Sequence, residues 1–265
     1  MSRYSGVCAT LAVVVLGVLC GVEPARASAF RVSPVQVDLS ASTSSALLTL
    51  SNESSESLRF QVRVYAWNQS PTGEMELAPT DDVVLFPTLI TLAPGKSRKV
   101  RIGSATPFWT SEKSYRVFFE ELPPVEGTGK DAARSEVRIL TKMGIPIFLR
   151  PSKPQSSGAI EGLALSEGHL RFVVRNDGNE HFVLRAVRIQ GVGEGGDPVF
   201  DRDLEGWYVL PGGTRAYDLA IPAELCAQLK GVTVESETQH DTFKARLETP
   251  PEGCGSPGAP QPSSR

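Results

Sequence analysis

The sequence predicts an all-β protein that folds as two β-sandwich domains. Short segments in which apolar and polar residues alternate recur along most of the chain, and clusters of Asn, Gly, Pro and Ser separate them. This alternation is the pattern of strands that bury one face in a sandwich core. Apolar residues at helical spacing are nearly absent, so the alternation indicates sheets rather than helices.

Each half of the chain carries a set of candidate strands typical in number of an immunoglobulin-like sandwich. In the first half the candidates are 30–39, 46–51, 59–67, 83–86, 97–103, 114–122 and 136–149. In the second half the pattern is weaker, and the candidates are 159–165, 170–176, 182–190, 207–210, 215–221, 232–237 and 242–247.

The two halves also repeat the same order of turns. A strand that ends at Asn52 and a Pro-Gly turn at 92–97 are matched in the second half by a strand that ends at Asn176 and a Pro-Gly turn at 210–215. Asn and Pro-Gly are turn-forming residues. We infer two sandwiches of one design, joined near 150–154; one large sandwich with chance similarity is the alternative.

The N-terminus has the features of a secretory signal peptide. Arg3 precedes an apolar segment at 11–22, and the small-residue pattern Ala-Arg-Ala follows at 25–27. The apolar segment is too short to anchor a protein in a bilayer. We therefore expect cleavage before Ser28, removal of residues 1–27 and export of the mature chain, with cleavage after Ala29 as the alternative.

The expected mature chain has three parts. An N-terminal domain is expected at 28–150 and a C-terminal domain at 151–249, each large enough to bury a core. The last segment, 250–265, is rich in Pro, Gly and Ser, a composition that indicates disorder.

Two cysteines are expected in the mature chain, because Cys8 and Cys20 leave with the signal peptide. Cys226 and Cys254 then lie in an oxidising compartment, where a cysteine pair is more often a disulfide than a metal site. We expect a Cys226–Cys254 disulfide, with two free thiols as the alternative.

The sequence contains no set of residues typical of an enzyme. His169, His181 and His240 are far apart and lack metal-ligand spacing, and phosphate loops, nucleophile elbows and dinucleotide-binding glycine motifs are absent. The net charge is −3, which argues against a nucleic-acid partner. We expect a binding protein with no catalytic residues, no metal, no cofactor and no small-molecule substrate.

The longest candidate strand, 136–149, has one apolar face. Its odd positions are apolar apart from one threonine, and Pro146 lies among its even positions. Proline lacks the N–H that a central strand needs, so it is confined almost entirely to sheet edges. An apolar edge strand can add itself to another protein's sheet. The alternative is that the same side chains fill the core of their own sandwich.

Ordered motifs show a family that this chain resembles. FRVSPV at 30–35, LSN at 50–52, LAPG at 92–95, ELPP at 121–124 and IPIF at 145–148 are similar to motifs of the periplasmic, PapD-like chaperones of chaperone–usher pili. The resemblance implies a boomerang of two immunoglobulin-like domains in the periplasm. Such a chaperone captures pilus or fimbrial subunits, lends each one its missing strand and delivers it to an outer-membrane usher.

The resemblance assigns the lent strand to 136–149. Its donor side chains are then Val137, Ile139 and Thr141, with Met143 behind them. Main-chain hydrogen bonds along such a strand provide affinity, and alternate side chains in pockets provide register. The competing hypothesis is an exported immunoglobulin-like structural or adhesion module that completes its own sheets.

The family also binds the subunit's C-terminal carboxylate through basic residues in the cleft between the domains, and here the sequence departs from the family. Gln36 and Pro146 stand at the two basic positions. Lys142, the lysine left on the strand, is our candidate for the carboxylate anchor. Its alternative role is an exposed lysine that discourages edge pairing.

The resemblance finally implies ionic contacts that set the angle between the domains. Glu121 and Arg150 occupy matching positions, and we expect Asp241 to be the third partner. Isolated surface ion pairs contribute little to stability, so this is a hypothesis about orientation.

Overall fold

The computed structural model describes residues 29–107, 110–124, 139–248 and 251–254. Within these ranges almost all regular structure is β-strand, as the sequence predicts, and no helix is long and apolar enough to cross a membrane. The predictions for the signal peptide at 1–27, for Val137 and for most of the C-terminal tail lie outside the described residues.

The first half forms a sandwich of two sheets. One sheet has the strand order β1-β3-β8-β6, and the other has the order β2-β10-β9-β4-β5, with β7 also pairing with β4. The strands are β1 (Phe30–Ser33), β2 (Val37–Leu39), β3 (Ser45–Asn52), β4 (Leu58–Gln69), β5 (Met75–Pro79), β6 (Val83–Phe86), β7 (Leu89–Leu92), β8 (Ser97–Ser104), β9 (Lys113–Leu122) and β10 (Lys142–Leu149).

The second half is also built from sheets, with the orders β11-β12-β17, β13-β16 and β15-β14-β18-β19. Its strands are β11 (Gly158–Ser166), β12 (His169–Asn176), β13 (Phe182–Val183), β14 (Ala186–Val192), β15 (Pro198–Leu204), β16 (Tyr208–Val209), β17 (Thr214–Ala220), β18 (Gly231–Glu237) and β19 (Thr242–Glu248). The described helices are a single turn, α1 (Ala223–Cys226), and the 3-10 turns Glu194–Gly196 and Pro251–Cys254.

Each half buries its own apolar core. The first core includes Leu48, Phe60 and Ile102 from both sheets of its sandwich. The second includes Phe172 and Ile189 from different sheets of the other half. Two separate cores agree with two sandwiches rather than with one large one, because a single sandwich buries one continuous core.

The first predicted strand, 30–39, is divided in the structure. β1 pairs with β3 in one sheet, whereas β2 pairs in parallel with β10 in the other sheet. Pro34 lies between them, and proline interrupts a strand because it has no N–H to donate to a neighbouring strand. The chain therefore changes sheets at this point, and β2 comes to lie beside β10.

Cys226 and Cys254 form a disulfide between α1 and the C-terminal 3-10 turn. The two residues are 28 positions apart in the sequence, and Cys226 is buried in the second core. The bond therefore ties the last described turn of the chain to the C-terminal sandwich.

Replacing both cysteines by alanine is expected to lower the free energy of unfolding by about 2–4 kcal/mol, because the unfolded chain regains the freedom that the closed loop removes. Guanidinium denaturation of the oxidised wild type and of the double variant measures the difference. The reduced wild type is the matched control and should unfold like the variant. Equal midpoints for all three samples would contradict the prediction.

Candidate functional site

β10 has one open edge. It pairs antiparallel with β9 along its whole length, from Lys142 to Leu149. On the other side β2 pairs only with its last three residues, Ile147–Leu149. Among the described residues, no strand pairs with the preceding part of this side, which ends at Pro146. The edge prediction made from Pro146 therefore holds for the first part of β10.

The described part of the apolar face of 136–149 is buried in its own sandwich at one end and exposed at the other. Ile145 and Ile147 are buried in the core of their own sandwich, and Met143 is partly buried against it. Ile139 is 69% exposed and precedes the strand, as does the exposed Thr141. The C-terminal part of this face therefore packs in the core of its own sandwich, whereas the Ile139 side chain is not buried in that core.

Glu121 holds the chain where it enters β10. The backbone N–H of Glu121 donates to the carbonyl of Thr141 at 3.0 Å, and the N–H of Thr141 donates to Oε2 of Glu121 at 3.2 Å. The regular strand begins only at Lys142, later than the sequence predicts. Glu121 therefore contacts Thr141, the residue that directly precedes β10.

The structure corrects the expected grouping of Glu121, Arg150 and Asp241. Arg150 follows the last residue of β10, so about 30 Å of extended chain separate it from Thr141, the partner of Glu121. The Arg150 guanidinium instead contacts Glu180 in the second half, with Nη2 2.6 Å from Oε2. Asp241 accepts a hydrogen bond from the Ser156 hydroxyl at 2.7 Å.

A further contact of Arg150 lies within its own sandwich. Its Nε is 3.9 Å from Oδ1 of Asp38, and the other oxygen of Asp38 accepts a hydrogen bond from Nε2 of Gln36 at 3.0 Å. Arg150 thus links the end of the first sandwich to Glu180 in the second half.

Lys142 lies on an exposed part of the edge. Its side chain is 52% exposed, and its Nζ is 3.9 Å from Oε2 of Glu120. The same Nζ lies 4.8 Å from the centre of the Phe118 ring. The lysine is at the end of β10 opposite to the contact between the two halves, so its charge does not face that junction.

The two halves meet at an aromatic junction. Trp67 and Phe148 from the first half and Leu210 from the second are buried together, with Tyr208 packed against them. The side-chain amide of Gln69 links the backbones: Nε2 donates to the carbonyl of Tyr208, and Oε1 accepts from the N–H of Leu210, both at 2.8 Å. The junction therefore combines apolar burial with directed hydrogen bonds.

A buried acid and imidazole cross the same junction. Nδ1 of His181 is 2.8 Å from Oε1 and 3.0 Å from Oε2 of Glu112, and the His181 N–H donates to Oε1. The His181 ring stacks on Phe148 with 3.6 Å between ring centres. The sequence shows His181 only as an isolated histidine; its partner is 69 positions away in the chain.

Arg116 on β9 also points into the junction. Arg116 is 8% exposed. Its guanidinium carbon lies 4.2 Å from the centre of the Trp67 ring, 5.6 Å from that of Trp207 and 6.0 Å from that of Tyr208. Burial lowers the pKa of the Arg116 guanidinium below its usual range. Sequence reasoning missed this residue, because its aromatic neighbours come from segments that are far away in the sequence.

Among the residues that the structure describes, no group of three or more His, Cys, Asp and Glu side chains could hold a metal ion. The features that can take part in binding are the open edge of β10, the exposed Ile139 and the cationic, aromatic junction. These features define a class: a two-sandwich protein whose first sandwich has an edge strand that is unpaired on one side over part of its length, among the described residues.

Comparison with protein families identifies the group within that class. Residues 29–155 match the model of the pili and flagellar-assembly chaperones, PapD N-terminal domain. Over these residues the chain is a divergent member of the PapD-like family of pilus chaperones. A comparison with curated protein sequences finds no significant match.

Solved structures show the same fold. The CsuC–CsuE chaperone–tip adhesion subunit pre-assembly complex of Acinetobacter baumannii matches with a TM-score of 0.57 at 16% identity, over 82% of this chain and 98% of that one. The Salmonella enterica SafA pilin complex with the SafB chaperone matches with 0.55 at 18%, over 84% and 99%. The E. coli chaperone DraB matches with 0.53 at 19%, over 85% and 99%. At these identities the likeness is one of fold.

Proposed function

We propose that this chain is a periplasmic chaperone that captures pilus or fimbrial subunits by lending them a strand and delivers them to an outer-membrane usher. The observation that carries the proposal is the open edge of β10, which continues at its N-terminal end toward the exposed Ile139. Unpaired backbone groups on such an edge can hydrogen-bond to an incoming strand of almost any sequence.

The side chains next to this edge supply the apolar part of the contact. In the proposal, Val137, Ile139 and Thr141 enter the groove of the incomplete subunit, with Met143 behind them. Moving a large aliphatic side chain out of water contributes roughly 1.5–3 kcal/mol. Ile139 is the strongest described candidate, because most of its surface is free to be covered.

The N-terminal residues support the cellular location in the proposal. Residues 1–27 have the charge, apolar core and small-residue end of a cleavable export signal. A disulfide between Cys226 and Cys254 fits an oxidising compartment such as the periplasm. Mass spectrometry of the protein recovered from the periplasmic fraction tests this part. We expect the mass of a mature chain that starts at Ser28.

Co-expression with the secreted, β-rich subunits encoded beside this chain tests the function. We expect a soluble one-to-one complex with at least one of them, and we expect Ile139→Asp to weaken capture by more than about tenfold, because it places a charge in an apolar groove. Leu89→Asp is the matched control, since Leu89 is an aliphatic residue of the same sandwich that is 60% exposed.

Two results would count against the proposal. Failure of every neighbouring subunit to form a complex would favour the structural or adhesion module. Equal capture by wild type, Ile139→Asp and Leu89→Asp would show that the segment before β10 does not enter the subunit.

A further inference from the structure

Gly144 lies in the part of β10 that has the open edge, where no described strand pairs with it on one side. Its φ lies outside the left-handed region, so neither a turn nor an unusual backbone conformation requires a glycine here. Glycine weakens a strand, because it has the most conformational freedom to lose and no side chain to pack. At this position it makes the open edge prone to fray unless another contact compensates.

Phe118 of β9 supplies a contact of this kind. It lies directly opposite Gly144 in the β9–β10 ladder. A Cβ atom added to Gly144 would lie 2.7 Å from Cε1 and 3.1 Å from Cδ1 of the Phe118 ring. Non-bonded carbon atoms pack at about 3.5–4.0 Å, so the ring occupies the space that a side chain at this position would need. The Phe118 ring therefore covers the backbone of β10 at the glycine.

Two neighbouring side chains hold the Phe118 ring in this position. Tyr65 of β4 packs edge-on against it, with 5.9 Å between the ring centres and 67° between the ring planes. The ammonium of Lys142 lies 4.8 Å from the ring centre. Both kinds of contact stabilise a fixed ring position. The cover over Gly144 is therefore part of a packed layer on this face of the sheet.

The physical effect of such a cover bears on strand lending. An aromatic ring on the neighbouring strand restores stability to a glycine in an edge strand, because it shields the glycine backbone from water and restricts its conformations. A lent strand that is already extended binds more tightly, since ordering it at the moment of capture would subtract from the free energy of binding.

We propose that Phe118 is a positioning residue for strand lending: its ring takes the place of a side chain at Gly144 and keeps the open edge of β10 extended before a subunit arrives. The inference rests on the proposed function and adds to it the means by which the edge is prepared. Phe118 acts through β10 and needs no contact of its own with the subunit. Because apparent affinity falls with the fraction of molecules that are ready to bind, loss of the ring should weaken capture.

Hydrogen exchange of the free protein tests the positioning role directly. In Phe118→Ala, the amides of 143–145 that donate to β9 should exchange at least about tenfold faster than in wild type, because the edge opens locally. Amides of β12 should keep their wild-type rates, since that strand lies in the other sandwich. Phe118→Leu, which keeps an apolar side chain but no ring, serves the same comparison if the alanine variant does not fold.

The second sandwich supplies a matched control. Phe200 of β15 lies directly opposite Gly191 of β14, and a Cβ atom added to Gly191 would collide with the Phe200 ring in the same way. Phe200→Ala therefore removes the same kind of cover from a strand that is not lent. It should speed exchange around Gly191 and leave both the exchange of β10 and the capture of subunits unchanged.

Capture is measured with a subunit from the co-expression test. Phe118→Ala should weaken it by about tenfold, the loss expected if one free molecule in ten has an extended edge. Gly144→Thr should also weaken capture, because its Cβ atom collides with the ring. The double variant Phe118→Ala/Gly144→Thr should capture within about threefold of wild type, since threonine favours a strand without help from a ring.

Three results would overturn the inference. The first is unchanged exchange of β10 in Phe118→Ala. The second is weaker capture without faster exchange, which would make Phe118 a direct contact of the subunit. The third is a double variant whose loss equals the product of the two single losses, because independent substitutions combine in that way. If wild type captures no subunit, the proposed function is contradicted, whereas the exchange rates of the free protein still decide the role of Phe118.

Discussion

Replacement of Glu112 by alanine is expected to lower the free energy of unfolding by about 3–5 kcal/mol, because it removes one partner of a buried polar pair. The Glu112 side chain is completely buried and His181 is 5% exposed. Without the carboxylate, the His181 N–H and Nδ1 lose their acceptor at a site that water does not reach. Because the pair joins the two sandwiches, the variant should weaken the contact between them as well as destabilise the first sandwich.

Denaturant unfolding followed by tryptophan fluorescence and by circular dichroism measures this effect. Trp67 reports on the junction, so the fluorescence transition should move to lower denaturant than the dichroism transition in Glu112→Ala. Glu112→Gln keeps an acceptor oxygen for the His181 N–H, and we expect a smaller loss from it. Glu161→Ala is the control, since the Glu161–Arg175 pair is about half exposed and should change stability by less than about 1 kcal/mol. Equal stability of Glu112→Ala and Glu161→Ala would contradict the prediction.

Asn52→Ala is expected to destabilise the protein by at least about 3 kcal/mol, because it leaves several buried backbone groups unpaired. The Asn52 side chain donates to the carbonyls of Leu92 and Glu56 at 3.0 and 2.7 Å. Its Oδ1 accepts from the N–H and the hydroxyl of Ser54. No alanine can replace these contacts, and the residue is 2% exposed.

The second sandwich repeats the arrangement around Asn176. Its side chain donates to the carbonyls of Val209 and Glu180 and accepts from the N–H of Gly178. Asn176→Ala should therefore cause a loss similar to that of Asn52→Ala. Asn68→Ala, at an exposed position of β4, should stay within about 0.5 kcal/mol of wild type. Thermal and denaturant unfolding of the three variants tests the comparison, and it fails if Asn68→Ala is as damaging as the other two.

These asparagines show which features the sequence predicts well. The repeat of an Asn at the end of a strand and a later Pro-Gly turn is visible in the sequence, and in both halves the turn binds the asparagine. The N–H of Gly95 donates to the carbonyl of Asn52, and the N–H of Gly212 donates to that of Asn176. The turns themselves depend on residue type at short range, so the sequence alone indicates them. The contact of each turn with its asparagine joins distant segments and is visible only in the structure.

The strand before the junction was predicted only in part. Alternation predicts a strand with an apolar face, but it does not say whether that face points into its own core or toward a partner. In the structure Ile145 and Ile147 take the first role, while Ile139 is exposed. Which residues are buried depends on where β2 and β9 end beside β10, and these ends are set only when the sheet assembles.

The sequence by itself determined the all-β class, the two sandwiches with repeated turns, the disulfide partners and the edge marked by proline. Period-two alternation and turn residues are patterns of neighbouring residues, and two cysteines allow one intramolecular disulfide. Only the tertiary structure decided the contacts between the sandwiches. Glu121 and Arg150 lie at opposite ends of β10, whereas Glu112 meets His181 and Arg116 meets two tryptophans. Strand register and the packing of distant segments set these contacts, and no short-range pattern in the sequence encodes them.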